Sequence, residues 1–144
     1  MEFVSFDLAK KLKEKGLSCK YPLAMYNERG SFCPLFTSSD RNPNIKSVFG
    51  NREYYDYDDF DENDFIAPTI SQVLKWLREE HLIHFEIVGA AYGYNLIISD
   101  TPDKGGTDRY YSHAKDDGPN DGGAWDSFED CVMYGIKYVL DNLI

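Results

Sequence analysis

The sequence predicts a single α+β domain, with three helices packed on a mainly antiparallel sheet, spanning all 144 residues. Three observations carry the prediction. Three segments show helical apolar spacing with caps, two others show paired short strands around turn residues, and helix then hairpin occurs twice before the last helix. A chain of this length buries roughly 68% of the surface its unfolded form exposes, so a core forms without disulfide or metal staples.

The first helix is read from Ser5 to Lys15. Ser5 is placed to accept from first-turn amides, Asp7 suits the positive end of the helix dipole, and lysines crowd the C-terminal half. Phe6, Leu8, Ala9 and Leu12 form the apolar stripe. Gly16 supplies a left-handed stop, and Leu17 just beyond it is placed to close the stripe as in a Schellman ending. A hairpin follows over 21–37, with strands around Leu23 to Tyr26 and Phe32 to Phe36 and a turn at Asn27-Glu28-Arg29-Gly30. Pro22 and Pro34 confine both strands to edges or short runs.

The stretch 37–66 is read as a long loop, and its second half is the acidic, aromatic block Glu53 to Phe65. A connection this long is either functional or without fixed structure. The second helix starts at Thr69, where Gln72 completes a capping box, and Ile70, Val73, Leu74 and Leu77 give the buried face to an end near His81. Ile83 to Val88 and Tyr92 to Ile98 pair as strands, joined tightly at Gly89-Ala90-Ala91. A Gly/Asp-rich loop at about 99–126 contains Arg109-Tyr110-Tyr111 as a short strand. The third helix is capped by Ser127 and carries Phe128, Val132, Ile136, Val139, Leu140 and Leu143.

AKKLKEKGL in the first helix and LKWLREEHL in the second share their Lys, Leu, basic, Glu and final Leu positions. Each precedes a candidate hairpin. The chain is therefore readable as two α-β-β units completed by a C-terminal helix. The stretches APTISQVLKWLREEHLIHFEI and GIKYVLDNLI resemble a set of small uncharacterised proteins of gut bacteria and their prophages or other mobile elements. The resemblance implies a phage-associated or accessory setting and brings no activity, cofactor or site residue with it.

Net charge is −10 and unevenly placed. Residues 1–52 are net basic, whereas 53–66 hold seven acidic residues and no basic one. Phosphate binding needs clustered cations, so the sequence argues against nucleic acid as a general partner for so acidic a chain. A nucleic-acid-binding module would have to bring Lys10, Lys13, Arg41 and Lys46 of the basic third onto one face. No segment reaches the roughly 20 apolar residues of a membrane span, and no signal-peptide run is present, so a cytoplasmic location without membrane contact is expected. Three cysteines at unhelpful spacings, Cys19, Cys33 and Cys131, point to reduced thiols rather than a disulfide framework.

Candidate chemistry is sparse. His81 and His84 have H-x-x-H spacing, but the helix ends between them and no further ligands complete a zinc set. His113 stands alone in a loop. The acids Asp56, Asp58, Asp59, Asp61, Glu62 and Asp64 lack the glycine and twelfth-position Glu of a calcium loop, and Asp116 to Gly123 lacks the flanking helices. No catalytic residue, metal ligand or cofactor is assigned. A small enzyme built on loop carboxylates or on His81 and His84 is the alternative from another class. The favoured reading is a non-catalytic accessory or regulatory protein that binds another protein through the block. The candidate contact residues are Tyr54, Tyr55, Asp56, Tyr57, Asp58, Asp59, Phe60 and Asp61, with Phe65 closing the aromatic series. Rings supply contact area at low rotamer cost and carboxylates steer a basic partner.

Overall fold

The computed structural model describes residues 2–19, 22–34, 63–90, 93–111 and 125–144. In chain order the elements are α1 (Phe6–Glu14), β1 (Ala24–Tyr26), β2 (Phe32–Pro34), β3 (Phe65–Ile66), α2 (Ile70–Glu80), β4 (Ile83–Ala90), β5 (Gly93–Asp100), β6 (Asp108–Tyr111) and α3 (Phe128–Asn142). A 3₁₀ turn, Pro102–Lys104, lies between β5 and β6. The arrangement is α+β and single-domain, with three α-helices as expected. Its strands form two three-stranded antiparallel sheets, β2-β1-β3 and β4-β5-β6, where one sheet was expected. Contacts divide the chain into two compact units, Met1–Gln72 and Val73–Ile144, with the division one turn into α2.

In the first unit α1 begins and ends as its residues dictate. Ser5 Oγ accepts from the Leu8 amide at 3.3 Å. At the other end Gly16 has φ +81°, its N–H donates to Lys13 O and the Leu17 N–H donates to Leu12 O. These are the paired bonds of a Schellman motif, and they seat Leu17 in the core. Leu8, Ala9 and Leu12 are the buried face, and α1 packs on β3.

The β1–β2 turn is built by Asn27, whose Oδ1 accepts from the amides of Arg29 and Ser31. Gly30 is required there twice over. Its φ is +83°, and a Cβ would stand 2.9 Å from the Phe6 ring. Backbone bonds also tie the residues before α1 to the entry of α2: Val4 N–H donates to Pro68 O and Ile70 N–H to Glu2 O. The second bond satisfies a first-turn donor that the helix itself leaves unpaired.

Thr69 caps α2 reciprocally, accepting from the Gln72 amide at 3.2 Å while Gln72 Oε1 accepts from the Thr69 amide at 2.9 Å. Ile70, Val73 and Leu77 are buried as the spacing predicts, Leu74 is half-buried, and Trp76 joins the buried set. The helix ends at Glu80, and Leu82 makes the turn into β4 with φ +56°, a conformation that L residues other than Asn and Asp seldom adopt.

In the second unit β4 and β5 pair without interruption from Ile83↔Asp100 to Ala90↔Gly93. Gly89 and Ala90 are thus strand residues rather than the turn the sequence suggested. Leu96 and Ile98 alternate into the core, and β6 joins β5 with a bulge at Ile98/Ser99. α3 is capped by Ser127 Oγ, which accepts from the Asp130 amide at 3.0 Å. It buries Cys131, Val132, Gly135, Ile136, Val139 and Leu140 and packs on β4 and β5. Phe128 is the departure from the predicted stripe. It is 42% exposed and touches Tyr94 edge-on.

The two halves are not repeats of one topology. In the first sheet the third strand pairs with the first, and in the second sheet it pairs with the second. The echo between the helices also ends at their caps, because the left-handed residue is Gly16 in one and Leu82, one position later in the alignment, in the other.

Candidate functional site

Tyr54, Tyr55, Asp56, Tyr57, Asp58, Asp59, Phe60 and Asp61 lie outside the described residues, as do His113, Asp116 to Gly123, Arg41 and Lys46. What the structure does place is the C-terminal end of the acidic block, from Asn63 onward. Asp64 offers its carbonyl to Lys13 Nζ at 3.1 Å. Phe65, the last ring of the series, sits in β3, half-buried, with Lys13 Nζ 4.8 Å above it and Phe6 edge-on at 5.5 Å. Phe65 is therefore packed into the first unit against Phe6 and Lys13.

Phe65 terminates an aromatic row across the first unit. Phe32 and Tyr26 stand opposite each other on β2 and β1, and Tyr26 stands opposite Phe65 on β3. Ring centroids step from Phe3 to Phe32 (5.0 Å), to Tyr26 (5.6 Å), to Phe6 (5.5 Å) and to Phe65 (5.5 Å). Such tilted and edge-on pairs add to area burial. The row remains partly open, and Phe32 is 44% exposed. The Tyr26 hydroxyl donates to Val4 O at 2.6 Å, and burial pushes its pKa up. Beside the β1–β2 turn, Asn27, Glu28, Arg29, Asn63 and Asp64 line an open cleft of about 420 Å³. Its walls are polar and charged, unlike the apolar enclosure typical of small-molecule sites.

The residues of the enzymatic alternative are placed apart in character. His81 packs its ring against Trp76 at 4.5 Å, while His84 is exposed on β4, beyond the end of α2. Among the described residues no three His, Cys, Asp or Glu side chains are grouped to hold a metal ion. Burial pushes the Cys19 thiol up to about 11 and the Cys131 thiol up to about 12, away from the thiolate a nucleophile needs. On α1, Lys10 pairs with Asp7 at 3.2 Å and lies 4.6 Å from the Phe6 ring, and Lys13 is committed to Asp64 and Phe65.

Sequence reasoning missed the polar corner after β5. Asp100 is buried, with Arg109 Nη1 3.5 Å from its Oδ1, and the adjacent Thr101 donates its amide to Leu82 O. The signal was available, since an Asp at the end of an alternating apolar strand occupies an inward position. Trp76 and Trp125 were also not singled out. Trp125 is buried, forms a two-bond bridge with Tyr94 and packs on Tyr134 at 4.7 Å.

The fold and surface define a small acidic α+β protein in which, among the described residues, no helix is long and apolar enough to cross a membrane. No protein-family model matches the chain, and comparisons with curated proteins and with solved structures give no match.

Proposed function

We propose that this is a non-catalytic accessory or regulatory protein that binds another protein, with Tyr54 to Asp61 of the acidic block Glu53 to Phe65 as its contact segment. The observation that supports the reading most is the seating of Phe65. It is clamped between Phe6 and Lys13, so the block is held to the fold at its C-terminal end beside a half-open aromatic row. Fixing one end of a contact segment lowers the ordering entropy that binding costs. Its seven acids within 53–66 suit a partner whose surface is basic and partly apolar. Burial of Cys19 and Cys131, which pushes both thiols up, disfavours those two as nucleophiles. The local commitment of Lys10 and Lys13 favours it over nucleic-acid binding. The sequence resemblance adds a setting linked to phage or other mobile elements, and the lack of a signal-peptide or membrane-span run in the sequence is the basis for a cytoplasmic one.

The test is affinity capture from nuclease-treated bacterial lysate with the full chain and with a variant lacking Asp56 to Asp61. The deletion leaves Asn63 to Phe65 in place. A protein retained by the full chain, released by salt and lost on the deletion is the expected result. Equal retention by both forms contradicts the assignment of the block, and retention by neither contradicts the binding role.

A further inference from the structure

The strand β4 is the edge of its sheet, and among the described residues no strand pairs with its outer side. The hydrogen-bond phase says which residues face that side. Leu82 O accepts from Thr101 N, whereas Asp100 N donates to Thr107 O and Tyr94 exchanges two bonds with Trp125. Backbone direction alternates along an antiparallel ladder. Tyr94, Leu96, Ile98 and Asp100 thus turn their amides and carbonyls away from β4, and their opposites Gly89, Ile87, Phe85 and Ile83 turn theirs outward. Edges of this length are ordinarily blunted by charged side chains, Lys above all, by Pro, by a bulge or by a covering element. Over its eight residues β4 carries one carboxylate, Glu86, and no Lys, Pro or bulge.

We infer that β4 pairs antiparallel with β4 of a second copy of this chain, about a two-fold axis through Phe85, to form a continuous six-stranded sheet. The side chains select both the occupant and the register. Centred on Phe85, the pairing sets His84 opposite Glu86 of the second copy and Glu86 opposite its His84. It sets Ile83 opposite Ile87 on the inner face and brings Val88 level with Leu82. Val88 and Leu82, 41% and 36% exposed, are two of the large apolar residues left at the surface of this protein. The sequence Leu82-x-His84-x-Glu86-x-Val88 is thus complementary to its own reverse. Other registers forfeit this. Centring on Glu86 opposes two carboxylates, and centring on His84 opposes two imidazoles. Both His84 and Glu86 are exposed, so their side chains are free to meet a partner strand. An imidazole directly opposite a carboxylate is placed to donate a hydrogen bond to it, whereas like charges directly opposite destabilise a ladder.

The experiment is sedimentation velocity on the full chain across a concentration series. It includes His84→Glu, Glu86→Lys and the exchange His84→Glu with Glu86→His, each checked for an unchanged thermal midpoint. The wild type is expected to form a concentration-dependent dimer. Each single variant should raise the dimer dissociation constant on the order of tenfold, because each disturbs both symmetric pairs. The exchange should return it to within about threefold of wild type, by restoring imidazole–carboxylate pairs in the same register. A wild type that stays monomeric at the highest concentration overturns the inference. So does a dimer indifferent to the single variants, or an exchange that fails to restore association.

Discussion

The two sheets are built from similar instructions and reach different solutions. Each follows an amphipathic helix and consists of three antiparallel strands, yet β1, β2 and β3 have three, three and two residues, whereas β4 and β5 have eight each. The short sheet has little ladder to hold it and relies on side chains. These are the Asn27 carboxamide in its turn, the Tyr26 hydroxyl on Val4 O and the aromatic row across its strands. The long hairpin carries its own register and relies on α3 lying close above it. That closeness depends on Gly135, where a Cβ would stand 2.6 Å from Phe85 and 2.9 Å from Leu96. A sheet made of local devices leaves side chains open at its surface, and a sheet made of a long ladder leaves a backbone edge.

The sharpest way to break this contrast is in the long sheet's core. Leu96→Ala should cost about 2–5 kcal/mol by chemical denaturation, since Leu96 is fully buried beneath α3. Gly135→Ala should cost about 1–2 kcal/mol, the overpacking against Phe85 and Leu96 outweighing the helix-propensity gain. Gain of stability there would contradict the close approach of α3. Thr69→Ala removes one arm of the capping box and should cost about 1 kcal/mol, read from the same denaturant midpoint. Leu82→Gly should instead raise stability by up to about 1 kcal/mol by relieving the left-handed strain. A loss at that position would show that the exposed Leu82 side chain contributes packing that outweighs the strain.

Local chemistry was legible and distant pairing was not. Ser5, Thr69 and Ser127 each announce a helix start because a cap is decided within four residues, and Gly16-Leu17 announces an end for the same reason. β3 was hidden in the tail of the acidic block. Two residues have no periodicity, and Phe65–Ile66 becomes a strand only because β1, some 40 residues earlier, offers its free side. Gly89 was misread as a turn residue because a glycine between apolar runs suggests one. Its φ is not among the positive ones, so it is ordinary strand backbone, and the chain continues to Ala90 before reversing. The left-handed Leu82 carried no sequence signal at all. Of the proposed site, the acidic and aromatic composition was plain in the sequence. The packing of Phe65 was not, because it depends on Phe6 and Lys13 from a helix more than 50 residues away.

Thermal unfolding of the full chain beside the Asp56 to Asp61 deletion tests most directly whether the block serves a partner rather than the fold. The account predicts midpoints within about 2 °C of each other, since the deletion removes none of the described packing. A fall of about 8 °C or more would assign Phe60 and its neighbouring tyrosines to the protein's own core and contradict the binding role.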